Sequence, residues 1–155
     1  YILRGSNGDL WLGAASPDVG LIKIGKDKSV QNSFKLSNDT LPPQRVRSVR
    51  CMIELRPGVL LVGTRNDGLV KYDQWRQEMT YYSMDEESEN QRLQNNYITS
   101  IVRDASGNIW IGMFGGGLAL YDEERGIINT VTQESGLAEN DVCAIVPDEK
   151  WYFTL

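Results

Sequence analysis

The sequence contains no histidine and only two cysteines among its 155 residues. Histidine is the side chain most often used as a general base near neutral pH, so its absence argues against the commonest acid–base chemistry. Cys51 and Cys143 are far apart and form no Cys-x-x-Cys motif, which gives no support to a metal or redox site. We therefore expect two free, buried thiols, no metal and no cofactor.

Long apolar runs and clustered positive charge are also missing. No apolar run reaches about 18 residues and the amino terminus is not basic and then apolar, so we expect neither a membrane span nor a signal peptide in this stretch. The net charge is −5 and no dense lysine and arginine cluster occurs, so we expect no nucleic-acid partner. The acidic run at 85–89 is typical of a solvated loop.

The chain has instead a glycine-punctuated pattern that occurs three times. Its clearest copy, from Gly107 to Asp122, consists of a turn, an apolar run around Trp110, a glycine corner ending at Gly117, and a second run through Tyr121. Branched and aromatic residues fit strands, and glycine supplies the positive φ angles that tight reversals need. The pattern therefore predicts a β-hairpin.

The three copies have a nearly constant spacing. Glycines that close the first run are 50 and 49 residues apart, and glycines that open the second run are 48 and 49 residues apart. A period of this size indicates a repeat architecture. We expect the following residues to be structural positions of the repeat: Trp11, Gly13, Gly63, Gly68, Tyr72, Gly107, Trp110, Gly112, Gly117 and Tyr121.

Each hairpin is flanked by two further runs of strand-forming residues. Those before the hairpins are Val46–Arg50, Ile98–Arg103 and Val142–Val146, and those after them are Ser33–Leu36, Glu78–Tyr82 and Ile127–Thr132. Four antiparallel strands in about 49 residues describe one blade of a β-propeller. A helical alternative is disfavoured because each interior glycine costs a helix roughly 1 kcal/mol.

The repeat predicts an all-β fold in which residues 1–155 form part of a β-propeller of four-stranded antiparallel blades, about three blades in all. We expect the end of one blade at 1–36, whole blades at 45–82 and 97–132, and the start of another at 142–155. The last segment departs from the pattern, because it is about three residues short before Trp151. Such a piece would expose apolar faces at both ends, so we expect it to belong to a larger ring or to close by association.

Two glycine-containing segments have simple turn interpretations. Asp104–Asn108 lacks the alternating acidic positions of a calcium loop and is typical of an Asx-stabilised turn. Gly115–Gly117 is followed by a strand and not by a helix, so it is a hairpin corner and not a phosphate loop.

The third copy also carries a recognisable motif. Its residues are Asn95-Asn96, Ile98, Ser100-Ile101, Asp104, Gly107-Asn108-Ile109-Trp110-Ile111-Gly112, Gly115-Gly116-Gly117-Leu118 and Tyr121-Asp122. This motif resembles the regulator-propeller repeat of two-component systems. In the first copy Ile24 replaces the tyrosine, and in the second Leu61 replaces the tryptophan.

The resemblance implies a seven-bladed propeller in the periplasmic sensor half of a hybrid two-component receptor anchored in the inner membrane. It also implies an oligosaccharide ligand and a histidine kinase half that lies outside this chain. The implied protein partners are the remaining blades, the downstream domains of the parent receptor and a second receptor copy. For the segment itself we expect no enzymatic activity.

Ligand contacts are expected where the repeats differ, because binding residues usually lie on loops that a scaffold presents. Aromatic faces together with amide, carboxylate and guanidinium groups can hold a sugar. The candidates of these types are Arg65, Asn66, Asp67, Trp75, Asn95, Asn96 and Phe114. An anionic glycan would be expected at the basic region formed by Arg45, Arg47, Arg50, Arg56 and Arg65.

The sequence leaves two other functions open. Trp151–Thr154 faintly resembles the Trp-Phe-Thr runs of propeller lyases, which favours a lyase or a glycoside-processing enzyme. Against it, the chain offers no histidine base and no acidic pair on an inner strand. The other alternative is a purely structural or dimerisation propeller.

Overall fold

The computed structural model describes residues 1–14, 20–34 and 48–146, and all the regular elements of these ranges are β-strands apart from two 3-10 turns. The first sheet contains β1 (Ile2–Arg4), β2 (Leu10–Gly13), β3 (Leu21–Ile24) and β4 (Val30–Phe34). The second contains β5 (Val49–Arg56), β6 (Val59–Thr64), β7 (Leu69–Asp73) and β8 (Glu78–Tyr82). The third contains β9 (Ile98–Arg103), β10 (Ile109–Met113), β11 (Gly117–Asp122) and β12 (Gly126–Val131).

The strands of each sheet follow chain order and all neighbours are antiparallel, as expected for a meander that returns through short turns. The 3-10 turns Glu89–Gln91 and Gln133–Ser135 lie in the segments that follow the second and third sheets. No described helix is long and apolar enough to cross a membrane.

Three sequence expectations differ from the structure. The first sheet has four strands where only the end of a blade was expected, because β1 pairs with β2 over Ile2–Arg4. The inner strand expected at Val46–Arg50 runs over Val49–Arg56, since its ladder with β6 continues to the turn at 57–58; residues 46–47 lie outside the described ranges. Val142–Val146 is not a strand, because it pairs in no ladder with any described residue.

The sheets stack on one another, and the middle sheet is covered on both faces. Leu60 and Val62 of β6 pack toward the first sheet, in a core that includes Trp11 and Tyr72. Leu61, on the opposite face of the same strand, packs toward the third sheet in a second core. All six residues of β6 are buried, which explains a continuous apolar run where a half-exposed strand would alternate.

Aromatic pairs join the sheets edge to face. The rings of Trp11 and Tyr72 connect the first and second sheets with centroids 6.0 Å apart and planes at 74°. The rings of Tyr82 and Tyr121 connect the second and third sheets at 5.4 Å and 85°. Burial raises the pKa of Tyr72 to about 12. These contacts are the favoured geometry of aromatic pairs and add to the area that the rings bury.

A glycine at the end of each second strand allows the next sheet to approach closely. A Cβ atom at Gly63 would lie 2.5 Å from Cγ2 of Ile98, the first residue of β9. A Cβ atom at Gly13 would likewise lie too close to Val49, and a Cβ atom at Gly112 too close to Val142. Backbone bonds repeat this pattern, since the N–H groups of Val49 and Val142 donate to the carbonyls of Ala14 and Met113, each at 3.1 Å.

Charged side chains also join neighbouring sheets. The Glu54 carboxylate accepts a hydrogen bond from the Ser6 N–H (2.7 Å), which lies in a turn of the first sheet. It also accepts one from the Gly58 N–H (3.0 Å), which lies in a turn of the second sheet. Arg56 Nε donates to Glu123 Oε1 of the third sheet at 2.7 Å. Arg103 Nη2 of the third sheet donates to the Leu55 carbonyl of the second at 3.0 Å.

The two cysteines differ in environment. Cys51 is a buried free thiol of the second core, and burial raises its pKa to about 12. Cys143 is exposed, so the expectation that both thiols are buried is wrong for this residue. The reason is that residues 142–146 form no strand that could be covered on both faces.

Candidate functional site

The antiparallel order of the strands gives each sheet two distinct ends. The upper end of the second and third sheets carries the corners 65–68 and 114–116 together with the connection 83–97. The lower end carries the turns 57–58, 74–77 and 123–125. Six of the seven candidate ligand residues lie at the upper end: Arg65, Asn66, Asp67, Asn95, Asn96 and Phe114.

Tyr97 is the centre of a group of side chains at the upper end. The guanidinium carbons of Arg50 and Arg65 each lie 5.7 Å from the centroid of the Tyr97 ring. The ring of Phe114 lies 5.6 Å from the same centroid, with the planes tilted by 36°. We call these four residues the arginine–tyrosine cluster. It spans the seam between the sheets, since the arginines belong to the second sheet and the aromatic rings to the third.

Local structure places each member of the cluster. Val49 is buried and Arg50 is exposed at a β-bulge, because the ladder with β6 steps from Val49–Thr64 to Cys51–Gly63 and leaves Arg50 as the extra residue. Arg65 starts the corner after β6, and its N–H donates to the Ser48 carbonyl at 3.1 Å. Phe114 starts the corresponding corner after β10, and its N–H donates to the Tyr97 carbonyl at 3.0 Å. Two equivalent corners therefore meet on either side of Tyr97.

The two guanidinium groups have no described counter-ion. Neither Arg50 nor Arg65 forms an ion pair with a carboxylate in the part of the chain that the structure describes. Contacts between a cation and an aromatic face contribute about 0.5–1 kcal/mol each at exposed sites. The cluster therefore presents two positive charges and two aromatic faces, of which Phe114 is 45% exposed.

Sequence reasoning did not single out Tyr97. The residue comes immediately before β9, at the position that Ser48 occupies before β5 and that Asp141 occupies before Val142. An aromatic residue where the other copies have small or acidic side chains was the available signal. Arg50 was named only as part of the basic region; Arg45 and Arg47 of that region lie outside the described residues.

The two asparagines before β9 have structural hydrogen bonds. Asn95 Oδ1 accepts from the Tyr97 N–H at 2.9 Å, which fixes the backbone that leads into the cluster. Asn96 Oδ1 accepts from the Met84 N–H at 2.8 Å. Asn140 repeats this bond with the N–H of Gln133 at the same distance, which favours a scaffold role for Asn96.

Two further candidates occupy the corner after β6. Asn66 is exposed and Asp67 is half-buried. The Asp67 N–H donates to Thr64 Oγ1 at 2.9 Å, and that hydroxyl donates to the Gly68 carbonyl at 2.8 Å. This closed turn holds Arg65 at the rim of the cluster.

Trp75 lies at the lower end, away from the other candidates. Its side chain is 68% exposed, and its Nε1 donates to the Pro57 carbonyl at 2.9 Å. Because the lower end and the upper end are opposite ends of the same strands, Trp75 belongs to a different surface from the arginine–tyrosine cluster.

The loop at Asp104 uses its carboxylate oxygens inside the protein. Oδ1 accepts from the N–H groups of Ser106 and Asn108, each at 2.9 Å, and Oδ2 accepts from Asn108 Nδ2 at 2.8 Å and Trp110 Nε1 at 2.9 Å. Burial alone would raise the pKa of Asp104, but these hydrogen bonds outweigh it and lower the pKa. Across the described ranges, no group of three or more His, Cys, Asp or Glu residues could hold a metal.

The segment around the cluster matches a known family of repeats. Residues 92–115 match the family model described as "Two component regulator propeller", and this segment includes Tyr97 and Phe114 together with β9 and β10. This match covers 24 of the 155 residues. The chain matches no curated protein.

Solved structures similar to this repeat protein come from B. thetaiotaomicron. The extracellular domain of BT3049, assigned to a hybrid two-component system, is 24% identical with a TM-score of 0.66 over 90% of this chain and 18% of that one. Two structures of the extracellular domain of BT4673, assigned to a one-component system in one case and to a hybrid two-component system in the other, are 20% and 21% identical. Both have a TM-score of 0.70 over 95% of this chain and 20% of theirs.

The chain thus spans about a fifth of the length of the structures it matches. At these identities the likeness establishes the fold, and the predicted β-propeller fragment is confirmed. All three matched structures are of extracellular domains.

A concave surface lies beside the outer strand β12. This shallow groove of about 470 Å³ is lined by Glu89, Asn90, Arg92, Gln94 and residues 127–130. Arg92 is already engaged there, because its Nε and Nη2 donate to the carbonyls of Glu86 and Glu87 at 2.9 and 3.1 Å. The groove has no aromatic lining, so the arginine–tyrosine cluster is the better candidate for a ligand site.

Proposed function

We propose that this chain is part of the extracytoplasmic sensor module of a two-component signalling receptor and that it binds an oligosaccharide. The observation that carries the proposal is the arginine–tyrosine cluster within and beside the regulator propeller repeat. In this view the ligand occupies the upper end of the second and third sheets, and a histidine kinase half outside the chain receives the signal.

The chemistry of the cluster suits a sugar. Tyr97 and Phe114 offer apolar faces for the C–H surface of a pyranose ring, and guanidinium groups are fixed forks of hydrogen-bond donors for ring substituents. The position suits a sensor, because the cluster bridges two sheets. A ligand that touches both sheets favours one relative arrangement of them, and such a differential affinity is the requirement for transmitting a binding event.

The test is direct measurement of saccharide binding by the intact protein that carries this chain. We expect saturable binding of an oligosaccharide, at least tenfold weaker when Tyr97→Ala and Phe114→Ala are combined, because both aromatic faces are then lost. Trp75→Ala is the matched control, since it removes an exposed aromatic ring at the lower end. Binding that survives the double substitution, or that depends on Trp75 alone, would contradict the assignment of the site.

Turnover of the bound saccharide would contradict a sensing role. We expect the oligosaccharide to be recovered unchanged after prolonged incubation with the pure protein. Appearance of a cleaved or unsaturated product would favour the enzyme alternative instead.

A further inference from the structure

The arginine–tyrosine cluster holds more positive charge than its surroundings neutralise. Arg50 and Arg65 approach one ring from the second sheet, and neither meets a carboxylate among residues 1–14, 20–34 and 48–146. Three other arginines are engaged in side-chain bonds: Arg56 with Glu123, Arg92 with two carbonyls and Arg103 with the Leu55 carbonyl. Arg50 and Arg65 instead direct their guanidinium groups to the Tyr97 ring.

Two like charges at one ring repel each other, which offsets part of what their contacts with the ring contribute. Repulsion between the guanidinium groups is reduced by water and salt, but it does not change sign. An anionic group that contacts both of them would replace repulsion by attraction, and each guanidinium group would offer it a fork of donors, the arrangement in which arginine binds carboxylate or sulfate most strongly.

Two polar groups beside Phe114 suit the hydroxyl groups of a sugar. Asn95 Nδ2 and Asp141 Oδ1 lie 3.3 and 3.8 Å from the place where a Cβ at Gly115 would be, directly after Phe114. They supply one donor and one acceptor for hydroxyl groups beside the aromatic faces. The lack of a side chain at Gly115 leaves that corner open.

We propose that the ligand is an acidic saccharide, bearing carboxylate or sulfate groups, and that Arg50 and Arg65 bind its charged group while Tyr97 and Phe114 support its ring. This inference rests on the proposed sensing function and adds the charge of the ligand to it. Charge selection at this site follows from side chains that the repeat pattern does not require, since the equivalent of Arg65 in the third sheet is Phe114 and the equivalent of Arg50 is Thr99.

The test compares acidic saccharides with their neutral counterparts on the intact protein. The probes are oligogalacturonates and the same oligomers after carboxyl reduction, and sulfated galacto-oligosaccharides with their desulfated forms. We expect one acidic series to bind at least tenfold more tightly than its neutral partner, and we expect its affinity to fall as sodium chloride is raised from 50 to 500 mM. The series that binds identifies carboxylate or sulfate as the recognised group.

Variants then locate the charge. We expect Arg50→Gln combined with Arg65→Gln to remove the preference for the acidic form, and the corresponding Arg→Lys pair to keep part of it, because lysine retains the charge but loses the donor fork. Arg125→Gln, an exposed arginine in the turn 123–125, is the matched control and should bind like the parent protein. Unchanged denaturation midpoints establish that the variants are folded.

Other outcomes separate the two proposals. Equal binding of acidic and neutral oligomers would overturn the charge assignment and leave the sensing function in place. No binding of any saccharide would overturn both. Binding of polyglutamate at the affinity of the acidic oligomers would also overturn the inference, because the cluster would then recognise charge without recognising a sugar.

Discussion

Trp110 shows how one residue of the repeat serves packing and hydrogen bonding together. Its side chain is 4% exposed in the centre of β10, and its Nε1 donates to the buried carboxylate of Asp104 at 2.9 Å. The same carboxylate closes the turn before the strand through Ser106 and Asn108. The tryptophan therefore holds both the sheet face and the turn that leads into it.

Substitutions at Trp110 should separate these two contributions. We expect Trp110→Ala to lower the free energy of unfolding by about 3–5 kcal/mol, because a large buried ring is lost. Trp110→Phe keeps most of the apolar area and leaves Asp104 without one donor, so we expect a loss of about 1–3 kcal/mol. Denaturant unfolding measures both values.

The control for Trp110 is Trp75→Ala, because this ring is 68% exposed. Exposed substitutions of this kind usually change stability by about 0.5 kcal/mol or less. Similar losses at Trp110 and Trp75 would show that burial between strands is not what stabilises the repeat.

Among single residues, the sequence indicates scaffold positions more readily than ligand positions. Period and residue type alone predict Trp110 and Gly112 as structural positions, because the copies share strands and turns of the same kind. The neighbours of Tyr97 could not be predicted, because Arg50, Arg65 and Phe114 come from three separate segments and meet only when two sheets stack. Trp75 was grouped with them because of its chemistry, and only the direction of the preceding strand β7 places it at the lower end.

Strands are predictable when turn signals flank them on both sides. The expected runs at 78–82 and 98–103 have the bounds of β8 and β9. The bounds of β5 were wrong because its carboxyl-terminal half is specified by pairing with β6 and not by its own composition. Residues 142–146 have strand-forming side chains but no described ladder partner, so composition alone was again insufficient.

The links between sheets differ in the kind of partner they use, and this difference should be measurable. Glu54 accepts from two backbone N–H groups that belong to turns of two sheets, and Glu123 pairs with an arginine side chain that is half exposed. We expect Glu54→Ala to cost about 1–3 kcal/mol of unfolding free energy, because two backbone donors lose a charged partner.

Glu123→Ala is the matched control and should cost clearly less, because exposed ion pairs are weakened by solvent and by side-chain entropy. Glu54→Gln should cost less unfolding free energy than Glu54→Ala and more than Glu123→Ala, since it keeps one acceptor oxygen. Equal effects of the two alanine substitutions in denaturant unfolding would contradict the view that Glu54 is the stronger link.

Over the residues that the structure describes, the molecule is a stack of three sheets with two cores, and several carboxylates hold turns closed. Lys23 lowers the pKa of Asp9 by hydrogen bonding, and the N–H groups of Arg125 and Glu124 lower that of Asp122. For Asp73, burial opposes ionisation, but hydrogen bonds from the N–H groups of Arg76 and Trp75 contribute to a net lowering of the pKa. For Asp104, burial likewise opposes ionisation, but hydrogen bonds lower the pKa overall.

These pKa shifts predict a loss of stability in acid. A carboxyl group whose pKa is lower in the folded than in the unfolded state stabilises the fold above the unfolded pKa, near 3.8, and this contribution is lost as the pH falls through the folded pKa. We expect the denaturation midpoint to be nearly constant from pH 8 to pH 5 and to fall steeply below about pH 4.

Asp104→Asn should lower the midpoint at pH 7 and make the acid dependence shallower, because one titrating group is removed. A midpoint that stays constant from pH 7 to pH 3 would show that the turn carboxylates do not stabilise the folded state.

The close contact between each closing glycine and the next inner strand has a consequence for evolution. Because Gly63 meets Ile98 directly, and Val142 bonds to Met113 in the corresponding place, these attachments between neighbouring repeats do not use the exposed side chains of the corners at the upper end. Mutations of those exposed side chains can accumulate while these attachments are inherited intact. A duplicated repeat can therefore acquire a new specificity through changes in a few corner residues, and a receptor lineage can diversify its signals on an unchanged framework.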